Sequence, residues 1–76
     1  MGRFFKKNYP VVTNIIRLAE EKNMSVDQLS QYSGIIVEDL IKILDNRKMI
    51  RPAQIAAAAL ALHVDVNALF EKPEND

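Results

Sequence analysis

The sequence predicts an all-α domain, a bundle of five helices, and three observations carry that expectation. Apolar residues recur at helical spacing in successive short segments, and no segment alternates convincingly as a strand would. Start and stop residues punctuate those segments: Ser25 with Gln28, Gly34, Asn46, Pro52 and Asp65. The composition, 76 residues with 49% apolar and 26% charged side chains and two glycines, is that of one small globular domain. A chain this short buries only roughly 60% of the surface its unfolded form exposes, so a single core must serve the whole molecule.

Residues 1–10 mix basic and aromatic types and end at Pro10, which disfavours helix at Tyr9; they read as an arm. A first helix is expected to start within Pro10 to Thr13 and run to Lys22, with Val11, Ile15, Leu18 and Ala19 as its apolar stripe and Asn23 as its stop. Ser25 opens a second helix through an S-x-x-Q capping box with Gln28. Leu29 and Tyr32 are its apolar positions, and Gly34 suits the left-handed turn that ends it. A third helix follows from about Val37 to Asp45, with Leu40, Ile43 and Leu44 inward and Asn46 able to take the stopping conformation. Residues 46–51 form a loop. Pro52 suits the first turn of a fourth, Ala-rich helix that runs to Leu62 and ends at His63 and Val64. Asp65 caps a last short helix through Leu69 and Phe70, and residues 71–76 are a polar tail. Residues 11–70 are therefore the folded domain.

Composition also excludes function classes. With no cysteine there is no disulfide framework, no thiolate metal site and no thiol nucleophile. One histidine, His63, cannot make a histidine metal cluster, and its place at a helix end suits a residue favoured there by the helix dipole. Glu20–Glu21 and Glu38–Asp39 are neighbours that splay apart by about 100° on a helix and do not form a catalytic pair. There is no glycine-rich phosphate loop. The expectation is a protein that is not an enzyme and uses no cofactor, metal or small-molecule substrate. No apolar run approaches the roughly 18 residues of a spanning helix and nothing resembles a signal peptide, so the expected compartment is the cytoplasm.

Charge is the discordant signal. Ten basic residues balance ten acidic ones, whereas small DNA binders usually carry a positive excess. The balance hides a gradient: Arg3, Lys6 and Lys7 stand without an acid in residues 1–10, residues 11–45 are acidic, and Arg47, Lys48 and Arg51 follow.

Two short helices joined by a tight glycine turn and packed on a preceding helix make a helix-turn-helix arrangement. At this point the chain resembles the lambda-repressor-like (Cro/CI or Xre type) helix-turn-helix domain, a five-helix bundle. The stretch from Leu18 through Ser25, Gln28, Leu29 and Gly34 to Ile35 is similar to that family's first two helices and their turn. Ile55 to Phe70, with Ala59, Leu62, Val64, Leu69 and Phe70, is similar to its last two. The pattern lies without a gap on Ile15 to Phe70, about three quarters of the chain. Where the family commonly pairs an arginine with a glutamate, this chain has Ala19 and Leu44; both have turned apolar together, which avoids leaving one charge buried alone.

The resemblance implies a small transcriptional regulator, of the kind found in phages and prophages, that reads DNA with the start of its third helix. The matching positions are Ile36, Val37, Glu38, Asp39, Ile41 and Lys42. Lys42 is a good groove residue, Val37 can touch a thymine methyl and Glu38 can accept from cytosine, but two carboxylates there would meet phosphate repulsion. Val26 also replaces a glutamine that in the family often supports a phosphate contact. Arg47, Lys48 and Arg51 in the following loop, and Arg3, Lys6 and Lys7 in the arm, are the expected phosphate contacts. The same residues admit a second reading: Val37 and Ile41 beside Glu38 and Asp39 describe a protein-contact face, as in an antirepressor or modulator that occupies a partner repressor. Double-stranded DNA and a repressor protein thus both stand as expected partners. Met49, Ile50 and Leu60 are the candidate contacts for a homodimer, which the resemblance also implies.

Overall fold

The computed structural model describes residues 8–72, and among them lie five helices and no strand. They are α1 (Val11–Glu21), α2 (Val26–Ser33), α3 (Val37–Leu44), α4 (Pro52–Leu62) and α5 (Val66–Leu69). Every helix sends at least one fully buried aliphatic side chain into the shared core: Ile15, Leu29, the α3 pair Leu40 and Ile43, Leu62 and Leu69. Each such burial stabilises the fold by roughly 1.5–3 kcal/mol. Ala19 is in the same core and Leu44 packs against it.

The boundaries follow local chemistry. Asn23, Asn46 and His63 all take positive φ (54°, 61° and 58°), each just beyond the end of a helix. Asparagine tolerates that region because its short polar side chain can satisfy nearby backbone. Around α2 the capping box is complete: the Gln28 N–H donates to Ser25 Oγ at 3.1 Å and the Ser25 N–H donates to Gln28 Oε1 at 2.9 Å. Ser25→Ala is expected to cost about 1 kcal/mol of stability, read as a shift in the urea midpoint at unchanged slope, because it leaves one helix N–H without its acceptor.

Tyr32 departs from expectation. It was expected on the apolar face of α2, yet it is 62% exposed, and Leu29 is the buried residue of that helix. The α2 segment is two turns long and is seated by residues flanking it, Met24 before and Ile35 after, which leaves Tyr32 outside the core on the wall of a groove with Met24 and Leu60. Ile50, expected as a self-association contact, is likewise part of the core, whereas Met49 and Leu60 are exposed.

Two buried asparagines tie the chain ends to the bundle. Asn14 on α1 donates from Nδ2 to the carbonyls of Leu69 (2.8 Å) and Glu71 (2.7 Å), closing the end of the short α5. Asn8, also buried, donates to the Lys48 carbonyl at 2.8 Å and accepts from the Ile50 N–H at 2.9 Å. The segment read as an arm is therefore pinned at its last residues to the loop that follows α3. No helix among the described residues is long and apolar enough to cross a membrane.

Candidate nucleic-acid or protein interface on helix α3

The turn that aims α3 is locked by its own side chains. Gly34 takes φ 79° as the left-handed cap of α2, and its N–H donates to the Ser30 carbonyl at 2.8 Å. The Ile35 N–H donates to Ser33 Oγ at 3.1 Å, and Ser30 Oγ donates to the Ile35 carbonyl. Ile35 itself is buried, so the turn is nailed to the core at the residue before α3 begins. With Leu40 and Ile43 fully buried on its inner side, the orientation of α3 about its axis is set.

The outer side of α3 is what this leaves. Ile36, its N-cap, is 66% exposed and Ile41 is 45% exposed. Glu38 and Lys42 are exposed four residues apart, with the acid toward the N-terminus, the favourable order on a helix. Val37 and Asp39 are half-buried. The predicted set is therefore brought together on one helix, but its members differ in availability.

Asp39 is the departure that matters. Lys48 Nζ lies 2.8 Å from its carboxylate, and both side chains are about one third exposed. That hydrogen bond, reinforced by the positive charges of Lys48, Lys42 and Arg51, holds the Asp39 carboxyl below the usual 3.8 against a smaller opposing effect of burial. Because the folded value is lowered, the pair's contribution is fully present above the ordinary carboxylate range and is lost as pH falls through the lowered value. At neutral pH the site is intact. Sequence reading placed Asp39 and Lys48 as separate contacts; the fold makes them one neutralised unit. Arg47 is 3.4 Å from Asp45, with both side chains more than 60% exposed, so solvent screens that pair to little net worth.

The result brings together charges that are separate along the chain. Lys48 from the loop bonds the Asp39 carboxylate, and Lys42 from α3 and Arg51 at the start of α4 are near enough for their charges to favour its ionised form. Arg51 is expected from sequence alongside Arg47 and Lys48 as a loop cation; its neighbourhood with α3 depends on how the loop folds back, held by Asn8. The expected arm contacts Arg3, Lys6 and Lys7 lie outside the described residues. Among the described residues, no group of three or more His, Cys, Asp or Glu is placed to hold a metal ion. Comparison of the chain with known protein families, with curated proteins and with solved structures finds no match.

Proposed function

We propose that this chain is a small helix-turn-helix regulator of transcription that acts by binding double-stranded DNA, without catalysis, in the cytoplasm of a bacterial or phage-infected cell. The observation that carries the reading is the 2.8 Å pairing of Lys48 with Asp39, with the charges of Lys42 and Arg51 acting on the same carboxylate, beside the exposed side of a helix aimed by a glycine turn. It lessens the chemical objection to DNA, since Asp39 no longer presents an uncompensated charge to phosphate and Glu38 stands four residues before Lys42 on the same helix. The resemblance to lambda-repressor-like domains supports the same reading. In it, Lys42 and Arg51 contact phosphates, and Ile36, Val37 and Ile41 meet thymine methyls and sugar in the groove.

The test is a salt titration of binding to a generic duplex by fluorescence anisotropy. Two to four phosphate contacts are expected, giving a slope of log K against log salt of about −2 to −4. Absence of binding at the lowest salt defeats the proposal.

A second reading is favoured by one specific observation, the exposure of Ile36 and Ile41 next to Glu38. An apolar, weakly acidic strip of that kind suits the basic surface of a partner repressor, which is the chemistry of an antirepressor. If this reading holds, Ile41→Asp abolishes a complex with a repressor and leaves any weak affinity for duplex DNA nearly unchanged.

A further inference from the structure

The two carboxylates at the start of α3 have different fates. Asp39 is paired with Lys48, whereas Glu38 is exposed and, among the described residues, enters no ion pair. The helix repeat puts apolar neighbours beside it. Ile41 stands three residues on and is exposed, and Val37, half-buried, stands four residues before Ile41. The outward side of α3 thus sets an acceptor-only group next to branched aliphatic carbon. Arginine, asparagine and glutamine, which read purines through paired hydrogen bonds, are absent from α3. Its one donor-bearing side chain, Lys42, serves phosphate in the reading above.

We infer that this face recognises 5-methylcytosine in the major groove, with Glu38 accepting from the N4 amino group and Ile41 and Val37 covering the 5-methyl group. The inference rests on the DNA reading proposed above and names the base that α3 prefers. The groove edges of the pyrimidines select it. Cytosine offers an amino donor at C4 but no methyl group at C5. Thymine offers the methyl group, but its C4 oxygen is an acceptor and repels a carboxylate. Uracil offers neither. Only 5-methylcytosine carries donor and methyl group on neighbouring ring atoms, as α3 carries acceptor and apolar carbon on neighbouring positions. The hydrogen bond to Glu38 is charge-assisted and so stronger than one between neutral groups. Lys42, four residues after Glu38, offsets the repulsion between that carboxylate and the DNA backbone.

Four self-complementary duplexes of about 20 base pairs test it without a known operator, by fluorescence anisotropy at about 50 mM salt. They alternate guanine with cytosine, guanine with 5-methylcytosine, adenine with thymine, and adenine with uracil. The methylcytosine duplex is expected to bind tightest. The cytosine duplex should bind about fourfold more weakly, the worth of one buried methyl group. The thymine duplex, which keeps the methyl group and loses the amino donor, should bind about tenfold more weakly. Ratios among duplexes for one variant cancel any change in its overall charge. Glu38→Gln should bind the methylcytosine and thymine duplexes within about twofold of one another, since an amide can turn either its oxygen or its nitrogen to the base. Ile41→Ala should lose the preference for methylcytosine over cytosine and keep that for cytosine over uracil. Both side chains are exposed, so the circular dichroism of each variant should match the wild type. Equal binding to all four duplexes overturns the inference and leaves the DNA reading standing. So does tightest binding to the thymine duplex, or a set of preferences that survives both substitutions. Absence of binding to every duplex, the result expected of a face made for a protein, overturns the inference together with the reading it rests on.

Discussion

Asn8→Ala is expected to lower stability by about 2–4 kcal/mol, an effect far beyond that of a residue in a surface arm. The side chain is buried and serves two backbone groups of the α3–α4 loop, the Lys48 carbonyl and the Ile50 N–H. Truncation leaves both without a protein partner, and an unsatisfied buried group costs about 1–3 kcal/mol. A domain of this length has in total about 4–11 kcal/mol. The melting temperature should therefore fall by about 8–32 °C, at about 4–8 °C per kcal/mol for a small domain. Asn8→Asp should not rescue it, because a carboxylate can still accept from Ile50 but cannot donate to the Lys48 carbonyl. Thermal unfolding followed by circular dichroism decides the matter. A shift of a degree or two would mean that the segment before α1 does not hold the loop.

The second large effect is a pair of opposite signs at the cationic cluster. Asp39→Asn removes one negative charge and frees Lys48 Nζ from its 2.8 Å contact. If DNA is the target, one added phosphate contact is worth about 0.9 log units per decade of salt, so binding to a generic duplex should tighten about tenfold at 0.1 M salt. The same argument makes Lys42→Glu weaken binding by more than tenfold, since a contact is lost and a repulsion gained. If a basic repressor is the target, both signs reverse: Asp39→Asn loosens the complex and Lys42→Glu tightens it. Anisotropy titrations of the two variants against one duplex and one basic partner separate the readings in a single data set. No change in either direction would remove α3 from the interface.

Much of the fold was legible because its signals are local. The Ser25–Gln28 capping box, the left-handed Gly34 and Asn46, and Pro52 at the head of α4 each act within a few residues, so spacing alone reveals them. Every apolar position assigned to the core of α1 and α3 is buried or packs against the core. Tyr32 was misplaced because helical periodicity does not say where a two-turn helix runs out of neighbours to cover it. Ile50 was misjudged for the converse reason: a loop residue has no periodicity to mark it as inward. Asn14 and Asn8 went unnoticed since a buried asparagine differs from an exposed one only in partners 35 to 57 residues away.

The candidate site shows the division most clearly. That α3 would present Glu38, Ile41 and Lys42 outward follows from sequence alone, because Leu40 and Ile43 must turn in and the helix repeat then dictates the rest; the exposure of Ile36, which precedes the helix, is settled only by the fold. Its electrostatic character does not follow. Read along the chain, residues 11–45 are acidic; in the fold, Lys48 returns from the next loop to pair with Asp39 at 2.8 Å, and the charge of Arg51 acts on the same carboxylate. Sequence by itself determined the number of helices, their approximate limits and the faces that α1 and α3 bury, since these depend on backbone conformation and on apolar spacing within a turn or two. Only the tertiary structure decided which charges neutralise one another, because Coulomb attraction acts through a few ångströms of space without regard to separation along the chain.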